Sequence, residues 1–266
     1  MNFSAIIALV AAVLLILASH RADGESMVSL LQPSAFMIVL GGTFCAAVVN
    51  FKPSTLMTAL RSSVDVFLER QPSQIKVIDE IIYLAHQAKM KGLFYLNNLV
   101  DDIQDPFLKR GVQLSIDFNN PQMIYDILKA EISYDEEEEL INSRVFEALG
   151  GYAPTFGIVG AVFGLIQIMG YIQQPDILAQ GIAVAFVSTL YGVGFANLLF
   201  LPVAGKLKMN TRERILLKEV VLQGIVSIQM EQSPMVIEQK LVAYLKYHNT
   251  THTIENRKQT GLYGLR

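Results

Sequence analysis

The sequence predicts an all-α membrane protein with four transmembrane helices, a cytoplasmic helical domain between the second and third, and a cytoplasmic helical tail. Of the 266 residues, 52% are apolar and only 17% are charged, whereas soluble domains usually carry about 25% charged residues. No Asp, Glu, Lys or Arg occurs in four windows, which are 1–20, 26–51, 148–175 and 177–205. Each window is long enough for the roughly 20 helical residues that cross a ~30 Å hydrocarbon layer.

The composition excludes several other classes of protein. Cys45 is the single cysteine, so the chain is not a secreted disulfide scaffold. A net charge of −3 gives no reason to expect a nucleic-acid partner. The first window lacks the basic start and the small-residue cleavage site of a secretory signal, and we therefore interpret it as a retained first span.

The basic residues predict the orientation of the spans. Twenty of the 21 Lys and Arg residues lie in segments 52–147 and 206–266, with ten in each. Because basic residues concentrate on the cytoplasmic side of a membrane, both segments and both termini are expected in the cytoplasm. Residues 1–51 and 148–206 then form two transmembrane hairpins, with short external turns.

The first cytoplasmic segment, 52–147, has the apolar spacing of helices. Pro and Gly interrupt it often enough to predict a compact bundle rather than a rod, at Pro72, Gly92, Pro106, Gly111 and Pro121. A helix is expected to start at Asn120-Pro121 and to continue without a break from about 122 through 149 into the third span.

The cytoplasmic tail, 207–266, is expected to mirror this arrangement. Residues 206–226 continue the fourth span as an amphipathic helix, and Ser233-Pro234 opens a further helix that reaches about Tyr247. Beyond about residue 248 the chain is polar and is expected to be frayed.

Nothing in the sequence indicates an enzyme, a metal site or a cofactor. The four histidines have no metal-ligand spacing, and there is no phosphate-binding glycine loop or nucleophile pattern. Five consecutive acidic residues, Asp135 to Glu139, are more simply explained as a solvated helix face than as a cation site or a site for a basic partner.

The interiors of the predicted spans contain no carboxylate, Lys, Arg or His. Ion carriers usually place an acid at membrane depth, because the ion must bind where water is absent. The chain therefore either conducts nothing or uses a carboxylate from a partner.

Small and polar residues concentrate in the third and fourth spans. Gly160 and Gly164 permit close helix packing, and Pro154 frees a backbone carbonyl. Thr155 and Thr189 offer uncharged hydroxyls that could line a path beside a partner's acid, and the fourth span also carries Asn197 and Pro202.

These spans resemble a known family. The third reads Gly150-Gly-Tyr-Ala-Pro-Thr-Phe-Gly-Ile-Val-Gly-Ala-Val-Phe-Gly-Leu-Ile166 and the fourth Ala185-Phe-Val-Ser-Thr-Leu-Tyr-Gly-Val-Gly-Phe-Ala-Asn-Leu-Leu-Phe-Leu-Pro-Val-Ala204. Both are similar to spans of the flagellar stator A subunits, the MotA/PomA family. The stretches 88–93 and 105–111 and the tail at 233–245 also match, so the resemblance covers the chain to about residue 247. Related TolQ and ExbB energisers have three spans, and the count of four favours the stator branch.

The resemblance implies an ion-driven motor unit in the bacterial inner membrane. In that family a homo-oligomeric ring of A subunits, expected to be a pentamer, surrounds two copies of a B subunit. The B subunit has one span with an essential intramembrane aspartate and a periplasmic domain that binds peptidoglycan. Ion flow rotates the ring, whose cytoplasmic domains push the switch-complex protein of the rotor.

The resemblance also implies roles for individual residues. The third-span proline of the family falls on Pro154, the proline at the cytoplasmic end of the fourth span on Pro202, and the ion-path threonine on Thr189. Ala161 occupies a position that tends to be Thr in sodium-driven members and Ala in proton-driven ones, so protons are the expected ion rather than sodium.

The rotor-facing residues depart from the family pattern. The basic residue of the family falls on Lys89, which keeps the charge, but its acidic partner falls on Asn97, which does not. Asp101 or Asp102 could take that role if the stretch is helical.

Two alternatives to a flagellar stator remain at this point. One is an energiser of the same superfamily that powers gliding or envelope transport. The other is a structural membrane scaffold without ion flow.

Overall fold

The computed structural model describes residues 30–68, 74–171 and 173–247, together with isolated positions between 7 and 21. Every regular element within these ranges is helical, which confirms the all-α prediction. Most of the predicted first span, 1–20, and the predicted fraying after about residue 248 lie outside the described residues, as does Pro72.

Eight α-helices account for the described ranges. They are α1 (Pro33–Asn50, with a π-helical stretch at Met37–Gly41), α2 (Pro53–Leu68), α3 (Gln74–Lys91), α4 (Pro106–Asp117), α5 (Pro121–Ile168), α6 (Pro175–Phe195), α7 (Leu201–Gln229) and α8 (Pro234–Tyr247). Two 3-10 helices, Leu93–Asn98 and Val100–Asp102, follow α3, and a π-helical stretch, Ala196–Phe200, joins α6 to α7.

Six of the eight helices begin at a proline, and a short polar side chain caps two of these starts. Asp105 caps α4 by accepting a hydrogen bond from Leu108 N at 2.7 Å, and Asn120 Oδ1 accepts one from Gln122 N at 3.0 Å at the start of α5. Proline in the first turn does not destabilise a helix, because the backbone amide at that position has no acceptor within the helix. The predicted start at Asn120-Pro121 is therefore confirmed.

Among the described residues, three helices are long and apolar enough to cross a membrane: Pro33–Asn50, Pro121–Ile168 and Ile177–Gln229. They overlap the predicted second, third and fourth spans. The uninterrupted 48 residues of α5 confirm the predicted continuous helix from about residue 122 into the segment of the third span. The run from α6 through α7 confirms the same for the fourth span, and α8 confirms the predicted helix to about Tyr247.

The chain forms two units, of which the second comprises Gln71–Glu136 and Arg212–Arg266. Its core is aliphatic and includes Ile81, Leu108 and Ile225. A Cβ on Gly111 would lie 2.9 Å from Ile225 Cγ1. The prediction that Gly111 interrupts a helix is wrong: it lies inside α4, where its lack of a side chain lets Ile225 approach.

Ion pairs link the helices of this second unit. Lys218 Nζ lies 2.6 Å from Asp135 Oδ2, and Lys129 Nζ lies 2.8 Å from Glu219 Oε1. Asp135 opens the acidic run that we interpreted as a solvated face. That interpretation is wrong at Asp135, whose side chain is only 27% exposed, whereas residues 136–138 are exposed.

The first unit comprises Met1–Arg70 and Glu137–Thr211 and contains the apolar helix segments. Aromatic rings hold α1 against α6, since Phe36 meets the rings of Tyr191 and Phe195 edge-on, with centroids 6.3 and 6.1 Å apart. The Tyr191 hydroxyl donates a hydrogen bond to Leu30 O and accepts one from Gln32 N at 3.5 Å. The chain entering α1 is therefore tied to the C-terminal part of α6.

Candidate ion-path site

The apolar part of α5 and helix α6 pack with their backbones in contact. A Cβ on Gly157 would lie 3.0 Å from Ser188 O, and one on Gly192 would lie 2.6 Å from Ala153 O. Further along, a Cβ on Gly164 would lie 2.8 Å from the carbonyl oxygen of Gly181. Side chains cannot fit between the two helices, so small residues alone permit this approach.

The packing also involves Gly160, where a Cβ would lie 2.7 Å from Ser188 Cβ. This confirms that Gly160 and Gly164 support close packing. Gly181 also lies in this seam, where a Cβ would overlap Ile168, although the sequence had not singled it out. Its contact is with a residue of another helix, which spacing along one helix does not reveal.

Pro154 lies inside α5, on the side that faces α6. It is half-buried, and its Cα would lie 3.2 Å from a Cβ on Gly192. Because proline has no amide hydrogen, the carbonyl of Gly150, four residues earlier, loses its helical donor. An unpaired carbonyl in a membrane helix needs a partner from protein or water.

Two residues join Pro154 at this seam. Ala161 lies seven residues further along α5, on the same helix face, and is half-buried. Across the seam, the Cα of Thr189 would lie 3.4 Å from a Cβ on Gly157. The structure therefore brings three of the predicted ion-path residues to one helix pair.

The two threonines present oxygen acceptors to the outside of the pair. Thr155 and Thr189 are exposed, and their hydroxyls donate to carbonyls of their own helices, Tyr152 O at 2.6 Å and Ala185 O at 3.3 Å. A hydroxyl whose hydrogen is used in this way offers only its oxygen lone pairs. Thr155 lies one residue past Pro154, on the exposed side.

Pro202 lies apart from this cluster, 13 residues beyond Thr189, which is about 20 Å along a helix axis. It is exposed and sits directly after Leu201, whose amide donates five residues back to Ala196 O. Proline removes the next amide donor, and the wider π-helical turn immediately precedes it. π-helical stretches occur frequently at functional sites.

The chemistry of the site follows from what its residues lack. Within the described helical ranges 33–50, 148–168 and 177–205, no side chain is acidic or basic. The helix pair supplies hydroxyl and carbonyl oxygens that can line a path. Among the described residues of these ranges, no Asp, Glu, Lys, Arg or His is available to take up and release a proton.

The predicted rotor-facing residues lie in the second unit. Lys89 is exposed in the last turn of α3, with Nζ 3.4 Å from Glu231 O, and Asn97 is exposed in the first 3-10 helix. Asp101 pairs with Lys109 at 3.0 Å. Asp102 is also exposed and, among the described residues, has no such pairing.

The stretch between Asn97 and Asp101 is not α-helical. The first 3-10 helix ends at Asn98, and the second begins at Val100. The expectation that Asp101 or Asp102 takes the role of the family's acidic residue depended on an α-helical stretch, and that condition is not met. Lys89 also borders a cleft of about 540 Å³, whose lining includes Asp117 and the 79% exposed side chain of Phe94.

Comparisons with known proteins agree on one family. A family model described as the MotA/TolQ/ExbB proton channel family matches residues 99–220. Motility protein A of Bacillus subtilis is 34% identical over 84% of this chain and 83% of its own length. In a structure of MotAB from C. jejuni, one chain superposes with a TM-score of 0.87 at 26% identity, over 95% of this chain and 97% of that one. For the flagellar MotAB stator complex from Bacillus subtilis the TM-score is 0.81 at 32% identity, over 91% and 95%.

Proposed function

We infer that this chain, which belongs to the MotA/TolQ/ExbB proton channel family, is the A-type stator subunit of a bacterial flagellar motor. It conducts ions together with a B subunit and converts the flow into torque. The observation that carries this conclusion is the similarity to motility protein A over most of both chains, at 34% identity. The alternative function, an energiser that powers gliding or envelope transport, is not favoured, because the relatives named above are motility and stator proteins.

The acid-free helix pair supports the identity of the partner. A proton path needs a group that binds and releases the proton at membrane depth, and the described part of the α5–α6 pair has only oxygen acceptors. The missing group is the intramembrane aspartate of a one-span B subunit that binds peptidoglycan outside the membrane. Thr155, Thr189 and the carbonyl freed by Pro154 then line the path beside that aspartate.

The proposed assembly rests on the distribution of basic residues and on the family to which the chain belongs. Four spans place both termini in the cytoplasm, as the distribution of Lys and Arg indicates, and the protein resides in the bacterial inner membrane. A homo-oligomeric ring, a pentamer, surrounds the B subunits. The transported ion is the only small species required, and no resident cofactor or metal takes part.

A deletion tests this function directly. Cells without the gene should keep their flagella and stop swimming, and the intact gene supplied in trans should restore swimming. Unaffected swimming in the deletion strain, with no second stator to compensate, would contradict the motor function.

The rotor contact is proposed at the exposed Lys89, beside the cleft. Lys89→Glu should reduce torque at high load several-fold while leaving ion flow intact, because it reverses a charge offered to the rotor's switch-complex protein. Lys76→Glu, at the exposed opposite end of α3, is the matched control and should rotate normally. Torque is measured from the rotation of tethered cells, and equal torque in both variants would remove Lys89 from the contact.

The ion is proposed to be the proton, on the basis of Ala161. A methyl group at this half-buried position adds no oxygen to the path, and a sodium ion needs oxygen ligands in place of its water. Replacing sodium with potassium should therefore leave swimming speed unchanged, whereas a protonophore should stop the cells. Loss of speed on sodium removal alone would overturn the assignment.

A further inference from the structure

An amide side chain lies on the outer face of α6 and the π-helical stretch that follows. The exposed residues there recur at helical spacing and are Phe186, Thr189, Leu190, Val193 and Asn197. Thr189 and Asn197 are the polar members of this face. They lie eight residues apart, which is about 12 Å along a helix axis.

The orientation of the Asn197 amide follows from its hydrogen bond. Its Nδ2 donates to Val193 O at 2.9 Å, and since a carbonyl only accepts, the nitrogen must point toward the helix. The oxygen Oδ1 is then directed away from that bond, with its acceptor capacity unused by the described residues. Like the hydroxyl of Thr189, the side chain presents an acceptor outward.

The backbone around Asn197 is also unusual. Asn197 is the second residue of the π-helical stretch Ala196–Phe200, where the Leu201 amide reaches five residues back to Ala196 O. At Gly194, three residues earlier, a Cβ would meet nothing within 4 Å in the chain. The helix surface beside Asn197 therefore leaves space for a molecule outside the chain.

Lipid is an unfavourable neighbour for this amide. Moving an amide from water into an apolar environment without a hydrogen bond costs about 2–7 kcal/mol. The Asn197 oxygen is therefore expected to face water or protein rather than acyl chains. Because Asn197 shares a face with Thr189, one water-filled path along this face would reach both side chains.

We propose that Asn197 is a further residue of the ion path, between Thr189 and the end of the span at Pro202. Its Oδ1 accepts a hydrogen bond from a water molecule that relays the proton after the proton has left the partner's carboxylate. The amide holds this water and is never itself protonated, so each proton that enters the relay leaves it toward the cytoplasm. This inference rests on the proposed function as a proton-conducting stator.

The test uses the full chain expressed with its B subunit. Asn197→Leu should lower proton influx, measured as acidification of the cytoplasm after an external acid pulse, about 10-fold, with swimming speed falling in parallel. Asn197→Gln should recover much of the influx, because it restores an acceptor. Val193→Leu, one turn earlier on the same exposed face, is the matched control and should behave as the wild type.

Two further readouts separate a relay from a contact between subunits. Assembly with the B subunit, measured by co-purification, should be unchanged in Asn197→Leu, and its loss would overturn the proposal by making the amide a subunit contact. Asn197→Asp should make influx depend on cytoplasmic pH, because a titratable group then stands in the path. Influx independent of pH in that variant, or normal influx in Asn197→Leu, would also overturn the proposal.

The outcomes distinguish this inference from the proposed function. If the wild-type pair conducts protons and drives swimming while Asn197→Leu does the same, the role of Asn197 alone fails. If deletion of the gene leaves swimming intact, the proposed function fails, whatever the substitutions at Asn197 do.

Discussion

Replacing Pro154 with alanine is expected to stop swimming while the protein remains in the membrane at its normal level. Proline inside a helix costs about 3 kcal/mol in soluble proteins, because it removes a hydrogen bond and crowds the preceding turn. Pro154→Ala therefore restores the amide that pairs with the Gly150 carbonyl, and α5 should become more stable. At the same time the freed carbonyl beside the ion path disappears, and ion flow should fall at least 10-fold.

Pro154→Ala is expected to raise the stability of the protein while it lowers its function. Swimming speed reports function, and the thermal midpoint of the detergent-solubilised protein reports stability. Pro175→Ala is the matched control, because Pro175 occupies the first turn of α6, where no helical hydrogen bond is lost to proline. Normal swimming in Pro154→Ala would show that Pro154 has no role in conduction. An equal loss of swimming in Pro154→Ala and Pro175→Ala would show the same.

The second large effect is expected at Gly192, where α5 and α6 make their tightest backbone contact. A Cβ there would lie 2.6 Å from Ala153 O and 2.9 Å from Gly157 Cα. Both obstacles are backbone atoms, so no side-chain rotation relieves the overlap and the helices must separate. Overpacking of this kind typically costs about 1–3 kcal/mol, and Gly192→Ala should lower the thermal midpoint by several degrees and abolish swimming.

Gly194 provides the comparison for this prediction. It lies two residues away in the same helix, but a Cβ there would meet no atom of the chain within 4 Å. Gly194→Ala should therefore leave the thermal midpoint of the purified A subunit unchanged or raise it slightly, since alanine favours a helix over glycine by up to about 1 kcal/mol. If Gly192→Ala and Gly194→Ala destabilise the protein equally, the close approach of α5 and α6 is not the cause of the destabilisation.

Much of the helical architecture was predictable because its causes are local. Asn120 and Pro121 start α5 with a side-chain cap and a residue that needs no donor, and both features are visible in the sequence. The absence of a breaker before the third span likewise predicted the uninterrupted helix. Apolar windows identified the membrane-crossing segments because the thickness of the hydrocarbon layer sets their length.

The errors and omissions concern contacts between distant residues. Gly111 looked like a helix breaker, and only the approach of Ile225 from another helix shows why glycine is tolerated inside α4. Asp135 looked like one more solvated acid, yet it pairs with Lys218, 83 residues later. In each case the deciding neighbour is unrelated by spacing along the chain.

The sequence alone shows that the four apolar windows contain no Asp, Glu, Lys or Arg, and hence that an ion path through them would need a carboxylate from another chain. This conclusion depends only on which residues are absent. Which of the remaining polar atoms share a surface depends on how the helices pack. The tertiary structure brought Pro154 and Thr189 to one helix pair through the backbone contact at Gly157 and Gly192, and it left Asn197 on the outer face. Packing across two helices fixes which way each side chain points, and no window of a single chain contains that information.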